Sequence, residues 1–306
     1  MKECMQCLMG VLLVAVVVVA GGCANVAQKP SEEAKAVRQK ELAQAAMLRG
    51  DSAARQGEVD RALVEYVKAL NFDRELIEAH YRVGNIHSYK GNLELAEKAY
   101  RRVLEDSKNH SGAMEGLGLV LLREKKYEEA EELLKKAVAA DSKRWRAHNG
   151  LGVLADMKHD YHAAENQYQA ALREQPEQPM LLTNLGYSKY SAGDWRAAQS
   201  YYERALAKDS RHVKAWSNLG LLHVRQGKYA EAMDAFSRIM SESQASNSIG
   251  YLCMVEGKYQ QAERYFLDAI KLSPTYDETA YKNLEKLRAL AEYNAGHEPD
   301  NLMECR

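Results

Sequence analysis

Few residues in this chain stand at spacings that could do chemistry. His159 and His162, in the stretch HDYH, are three apart, a separation that suits two ligands of one metal ion if a third lay near. Gly116-Leu117-Gly118 and Gly150-Leu151-Gly152 look like pieces of a glycine-rich phosphate loop. Cys4 and Cys7 have the spacing of a redox pair, and Cys253 and Cys305 could bridge in an oxidising compartment. Context removes each of these in turn. The glycine pairs follow no strand and lie in helical sequence, and the histidines flank a surface turn. Cys4 and Cys7 precede an apolar run that reads as an address, while Cys253 falls on an apolar face and Cys305 in a loose tail. The sequence therefore predicts no catalytic residues, no metal site and no cofactor, and points away from an enzyme.

Composition narrows the remaining classes. The 42 Lys and Arg nearly balance 43 Asp and Glu, so no basic field selects nucleic acid as a partner. Apolar residues reach 46%, enough for a real core. With 5 Pro, abundant Ala and Leu, and little β-branched sequence after residue 30, the chain is expected to be all-α. The aromatic set is unusual, with 18 Tyr against 3 Phe. Acidic runs such as Glu128-Glu129 and Glu131-Glu132, followed by Lys135-Lys136, read as a solvated helix face.

The first residues read as a targeting segment. Leu8 to Ala20, LMGVLLVAVVVVA, carries no charge and is too short to span a bilayer core, which takes roughly 20 residues of helix. It ends in Ala20-Gly21-Gly22 followed at once by Cys23. Small residues before a cysteine resemble a bacterial lipobox, although Ala20 stands where Leu is usual and the only early cation, Lys2, is opposed by Glu3. The resemblance implies a signal peptide over 1–22, acylation at Cys23 and a lipid anchor worth ~0.8 kcal/mol per buried methylene. Ala24 lacks the aspartate that would retain such a protein in the inner membrane, so the periplasmic face of the outer membrane is implied. The alternatives are an ordinary secretory signal cut near Gly22 and an uncleaved anchor. Residues 23–40 are read as lipidated cysteine and tether leading into the first helix.

A fixed interval organises the rest. Gly50, Gly84, Gly118, Gly152, Gly186 and Gly220 are each 34 residues apart. Twelve residues after each stands an alanine, Ala62 to Ala232, and four further on a large residue: Tyr66, Tyr100, Leu134, Tyr168, Tyr202 or Phe236. A seventh copy follows at a shortened interval with Gly250, Ala262 and Phe266. Small and large residues at these offsets are a packing code for two antiparallel helices, the glycine expected opposite the alanine and the ring filling the gap to the next hairpin. Gly57, Gly91, Gly193, Gly227 and Gly257 stand where the turn must be, replaced by Lys125 and His159 in two copies. Tyr127, Tyr161, Trp195, Tyr229 and Tyr259 open the second helices, and Pro176 and Pro274 sit between repeats.

This pattern resembles the tetratricopeptide repeat (TPR). The resemblance implies a right-handed superhelical solenoid of about seven helix-turn-helix units, at about 43–76, 77–110, 111–144, 145–178, 179–212, 213–242 and 243–276. Residues 277–294 keep a helical period without the code and suit a terminal cap, and 295–306 read as a flexible tail. From Gly227 to Gly257 is 30 residues, so about one turn is missing in SRIMSESQASN, either a local change of twist or a harmless deletion.

In such arrays the first helices line a concave groove. By position the groove set is Tyr81, Asn85, Asn149, Thr183, Tyr187, Tyr190, Ser217, Leu221, Val224, Asn247, Tyr251 and Met254, with Asp51, Glu115, Leu119, Arg146 and Val153 also on that wall. Tyrosine interleaved with aliphatic and short polar groups suits a protein or peptide segment, unless some of these side chains pack against neighbouring hairpins. The Lys-Asn-Arg clamp of chaperone-binding arrays is not reproduced by Met47, Asp51, Asn149 and Val153.

The whole arrangement of lipobox-like cysteine, tether and repeats resembles lipoproteins of pilus assembly. Ser217-Asn218-Leu219-Gly220-Leu221-Leu222 and Ser248-Ile249-Gly250-Tyr251, with the shortened interval between them, are similar to phrases of the TadD lipoproteins of Tad/Flp pili. Type IV pilotins share the architecture. That implies a scaffold acting on a secretin or other pilus component, the competing expectation being a periplasmic adaptor that recruits murein hydrolases or proteases. If Cys23 carries the lipid, Cys23→Ser moves the protein from the membrane to the soluble fraction on cell fractionation; persistent membrane association of the variant counts against the lipobox.

Overall fold

Each hairpin is started and stopped by local chemistry that the sequence repeats. The computed structural model of the protein describes residues 31–273, 275 and 277–296, and within them all regular structure is helical. Fifteen helices follow in order: α1 (Glu32–Arg55), α2 (Val59–Phe72), α3 (Ile77–Lys90), α4 (Leu93–Asp106), α5 (Ser111–Arg123), α6 (Tyr127–Ala140), α7 (Trp145–Met157) and α8 (Tyr161–Glu174). They continue as α9 (Pro179–Ser191), α10 (Trp195–Lys208), α11 (Val213–Arg225), α12 (Tyr229–Ser237), α13 (Glu242–Val255), α14 (Tyr259–Leu272) and α15 (Glu278–Gly296).

The turns within hairpins close by left-handed caps. The amide of Asp160 donates to the Ala155 carbonyl and that of Asp194 to Lys189, the long bond of a Schellman end. The residue before each of these amides has positive φ: +85° at Gly193, but also +58° at His159 and +64° at Lys125. The repeat register thus holds two ordinary residues in a conformation that favours glycine. The helices that follow begin with aspartate caps where the sequence supplies them, Asp160 accepting from the Ala163 amide and Asp194 from that of Ala197.

Within a hairpin the closest approach differs in detail from the simple glycine–alanine pairing. What faces each repeat glycine is the large side chain sixteen residues on. A Cβ placed on Gly186 would lie 2.6 Å from the Tyr202 ring, and one on Gly152 2.7 Å from that of Tyr168. The alanine lies beside this contact, fully buried, with the Ala262 carbonyl 3.2 Å from where a Gly250 Cβ would stand. The next hairpin completes the clamp twice with a second glycine: Gly116 meets the Tyr100 ring and Gly150 the Leu134 side chain. The glycine pairs that look like phosphate-loop fragments are therefore packing residues.

Odd-numbered helices pack on the even helix of their own hairpin and on that of the preceding one, and from α3 to α15 they also touch one another. They form one wall of the stack, and the buried residues form a chain of small cores between consecutive hairpins. The even helices are fourteen residues long except α12, which has nine. The missing turn of the sixth unit is taken from its second helix. Ser241 then restarts the chain with a capping box, receiving the Gln244 amide at 3.3 Å while its own amide reaches the Gln244 side chain at 3.1 Å.

At the N-terminal end, residues 32–40 are helix rather than tether, because Ser31 caps α1 through the Ala34 amide and the alanine- and charge-rich stretch that follows favours helix. At the other end α15 buries Ala280, Leu284 and Leu287 against the last hairpin and runs to Gly296. Residues 1–22, read above as a signal segment, Cys23 and the residues from 297, including Cys305, lie outside the described residues. Among those described, no helix is long and apolar enough to cross a membrane.

Two glycines of one hairpin test the two reasons for glycine. Gly186→Val drives a side chain into the Tyr202 ring and is expected to cost about 1–3 kcal/mol in urea unfolding. Gly193→Ala has nothing within 4 Å and only its φ to lose, about 1–2 kcal/mol. In a Tyr202→Ala background the first cost shrinks and the second is unchanged; equal behaviour of the two would refute the ring contact as the constraint.

Candidate partner-binding groove

Beyond a hollow over α1 and α3 beside Asp51 and Arg82, the odd-helix wall carries three more in series. The first, about 420 Å³, lies over α3, α5 and α7 and includes Tyr81, Asn85, Glu115 and Arg146. The second, about 580 Å³, lies over α7, α9 and α11 with Val153, Asp156, Met157, Thr183, Tyr187 and Ser217. The third, about 420 Å³, lies over α11, α13 and α15 with Leu221, Asn247, Tyr251 and Asn283. Ser217 and Asn218 line both the second and the third, so these two share an edge.

The tyrosines that pack against the repeat glycines reach this wall from behind. Tyr66 donates its hydroxyl to Asp51 at 2.7 Å, Tyr100 to Asn85 at 2.8 Å and Tyr168 to Asp156 at 2.8 Å. The hydroxyl of Tyr202 is buried with no partner. Asp156 receives a second donor, the Ser188 hydroxyl, at 2.6 Å. Burial raises this carboxyl above its ordinary range, and the two hydroxyl bonds pull the other way.

Amide side chains join neighbouring helices across the wall. Asn184 donates to Asn149 at 2.8 Å, and Asn283 on the terminal helix donates to Asn247 at 3.0 Å. Tyr187 and Tyr190 stack with centroids 6.2 Å apart, and Arg225 donates to the Tyr190 hydroxyl at 3.2 Å while pairing with Glu256 at 3.1 Å. Tyr187 and Tyr251 leave 46% and 49% of their surface open. In the first hollow Tyr81 lies against the rings of Tyr100 and His110, and Glu115 is buried as an acceptor for the Ala147 amide at the start of α7. Burial raises the Glu115 carboxyl as well, against the pull of Arg144 and the amide.

The predicted groove residues do not all share one environment. Tyr81 and Asn85 stand in the first hollow, Thr183, Tyr187 and Ser217 in the second, and Ser217, Leu221, Asn247 and Tyr251 in the third. Asn149 forms the amide link beside the second, and Tyr190 stacks at its margin. Met254 is half-buried against the last core. Two positions are corrected. Val224 is fully enclosed with Ala245 and Ile249, because α13 packs over this short apolar side chain. Thr183 is 2% exposed and commits its hydroxyl to the Pro179 carbonyl. Asp156, Asn184 and Asn218 were not in the predicted set. Asp156 occupies the same offset from its glycine as Tyr190 and Val224, and its register was the signal available.

Other reactive groups stay apart from the wall's chemistry. Cys253 is fully buried and its thiol is raised by burial. His159 bonds Tyr161 and His162 bonds Asn166, and among the described residues no group of three His, Cys, Asp or Glu could hold a metal ion.

Comparison with known proteins agrees with this architecture. Family models described as tetratricopeptide repeat match residues 81–144, 126–179, 183–245 and 243–276. No curated protein sequence matches the chain significantly. Among solved structures, PilF of Pseudomonas aeruginosa is 20% identical, with 83% of this chain and 99% of that chain covered at a TM-score of 0.52. A tetratricopeptide repeat protein of Parabacteroides merdae is 14% identical, covering 81% of this chain and 99% of that one, with a TM-score of 0.56. The Cut9–Hcn1 hetero-tetramer of the APC/C is 16% identical over 78% of this chain and 48% of that one, with a TM-score of 0.60. At these identities the likeness is one of fold.

The hydroxyls around Asp156 give a direct check on the second hollow. Removing one donor leaves the carboxylate less stabilised, so Ser188→Ala is expected to raise the Asp156 pKa further, read by carboxyl carbon chemical shift against pH. An unchanged or lowered pKa would contradict the arrangement.

Proposed function

Since the chain belongs to the tetratricopeptide-repeat family, we propose that it is a protein-binding scaffold that holds its partner along the second and third hollows. The carrying observation is the open aromatic and amide wall there. Two half-exposed tyrosines, Tyr187 and Tyr251, flank short polar side chains able to bond a peptide backbone, the composition of an interface core with a polar rim.

The finer reading is a scaffold lipid-anchored through Cys23 on the periplasmic face of the outer membrane, assisting assembly of a Tad/Flp or type IV-like pilus by localising or stabilising a secretin or another pilus component. Its support is the lipobox-like cysteine and the phrases around Gly220 and Gly250 that are similar to Tad/Flp lipoproteins. The shortened interval between those glycines, seated in α12, belongs to the same resemblance. The fold by itself carries no partner's identity.

Crosslinking in native membranes, followed by mass spectrometry, tests both levels. The unmodified protein is expected to capture a secretin or other pilus component, and Tyr187→Ala with Tyr251→Ala to lower capture by about thirtyfold while far-UV circular dichroism is unchanged. Undiminished capture by the double variant rejects the groove. Capture of a murein hydrolase or protease in place of pilus components supports the adaptor reading instead.

A further inference from the structure

Of the carboxylates lining the hollows of the wall, all but one have a cation beside them. Asp51 pairs with Arg82 at 3.4 Å, Arg225 with Glu256, and Lys189 with Glu165 at 2.7 Å. Buried Glu115 has the Ala147 amide and Arg144 at 3.9 Å. Asp156 meets only hydroxyls. Tyr168 donates to Oδ2 and Ser188 to Oδ1, which fixes the carboxylate in the acceptor role and leaves each oxygen a free lone pair. The hydroxyls orient the group without neutralising it, and a partly desolvated anion lacking a countercharge attracts one strongly.

The surroundings limit what that countercharge is. Lys214 lines the same hollow but stands on α11, across α9 from Asp156 on α7, and is exposed at the opposite rim. Near the α7 end, His159 is held by Tyr161 and Lys158 is taken up by Glu131 at 2.6 Å. Between them the lining is Val153, Met157 and the open ring of Tyr187, apolar walls that suit methylene groups and a ring face that favours a cation. A space of about 580 Å³ takes one long side chain with its flanking backbone.

We infer that the hollow over α7, α9 and α11 receives a lysine or arginine side chain of the bound protein, its charge against Asp156 and its stem across Met157 and Tyr187. The inference rests on the groove reading above and names the chemistry of the segment that the groove selects. Around Ser217, Asn218, Asn247 and Asn283, the adjoining third hollow offers neutral hydrogen-bonding groups, so the next stretch of the segment is read through its main chain rather than its charge.

Random peptides displayed on phage and selected against the full chain in detergent test this. Peptides whose affinity, measured by fluorescence anisotropy, drops on Tyr187→Ala with Tyr251→Ala are groove ligands. Among them one position is expected to be fixed as Lys or Arg. Changing it to norleucine weakens binding to the unmodified protein about tenfold, but no more than about twofold on Asp156→Asn. Asp156→Ser serves where Asp156→Asn fails to fold. Groove ligands with no fixed basic residue, or a norleucine penalty that persists without the carboxylate, overturn the inference and leave the scaffold reading standing. A norleucine peptide that binds the unmodified protein as well as its parent does the same. Failure to recover any groove-dependent peptide overturns both.

Discussion

A large side chain pressed against backbone that carries no Cβ is the contact on which this molecule depends. In every hairpin it sets how near two helices come, and the side chain that makes it is long enough to reach the following hairpin. Where Gly116 and Gly150 stand opposite, the same group is gripped from both sides. Overpacking one such contact shifts two helices at once, since protein interiors leave no slack to absorb an added methyl. The interval of 34 residues follows from it, because the contact must recur at the same place on each unit for the stack to continue.

The contact also builds the wall that faces a partner. Tyr66, Tyr100 and Tyr168 bury their rings in this position and deliver their hydroxyls to the far side of the first helix, where they orient Asp51, Asn85 and Asp156. Leu134, Phe236 and Phe266 give the same packing and nothing beyond it. A tyrosine whose hydroxyl finds such a partner therefore does more than pack. Part of the core doubles as the support for surface groups, so the position of a carboxylate such as that of Asp156 is as fixed as the core itself.

What repeats was legible in the sequence. Glycine, alanine and ring at constant offsets announced the hairpins, and register alone put Lys125 and His159 into turns that glycine occupies elsewhere. What does not repeat was harder to read. Groove positions vary from unit to unit, and whether a side chain emerges depends on its own length as well as its offset. Val224 is enclosed where Tyr190 at the same offset is half-buried with its hydroxyl bonded to Arg225, and Asp156 becomes a half-buried anion. The offset of twelve from glycine to alanine marks the helix separation, while the contact that sets it lies one turn on, at the large side chain. The early start of α1 is legible in the charged, alanine-rich stretch from Glu32 to Arg49, while its boundary with the tether is blurred because a solvated helix and a polar tether share much of their composition.

Contacts of any extent join only helices one or two places apart in the chain. Among the described residues nothing ties the first hairpin to the last, so the distance between them is set by the summed tilt at six seams, and each seam can give slightly without disturbing the others. A chain built this way is compliant along its length. Tension between an anchored end and a grasped cargo would be shared among the seams, letting the body lengthen and recoil as a spring while every hairpin stays folded.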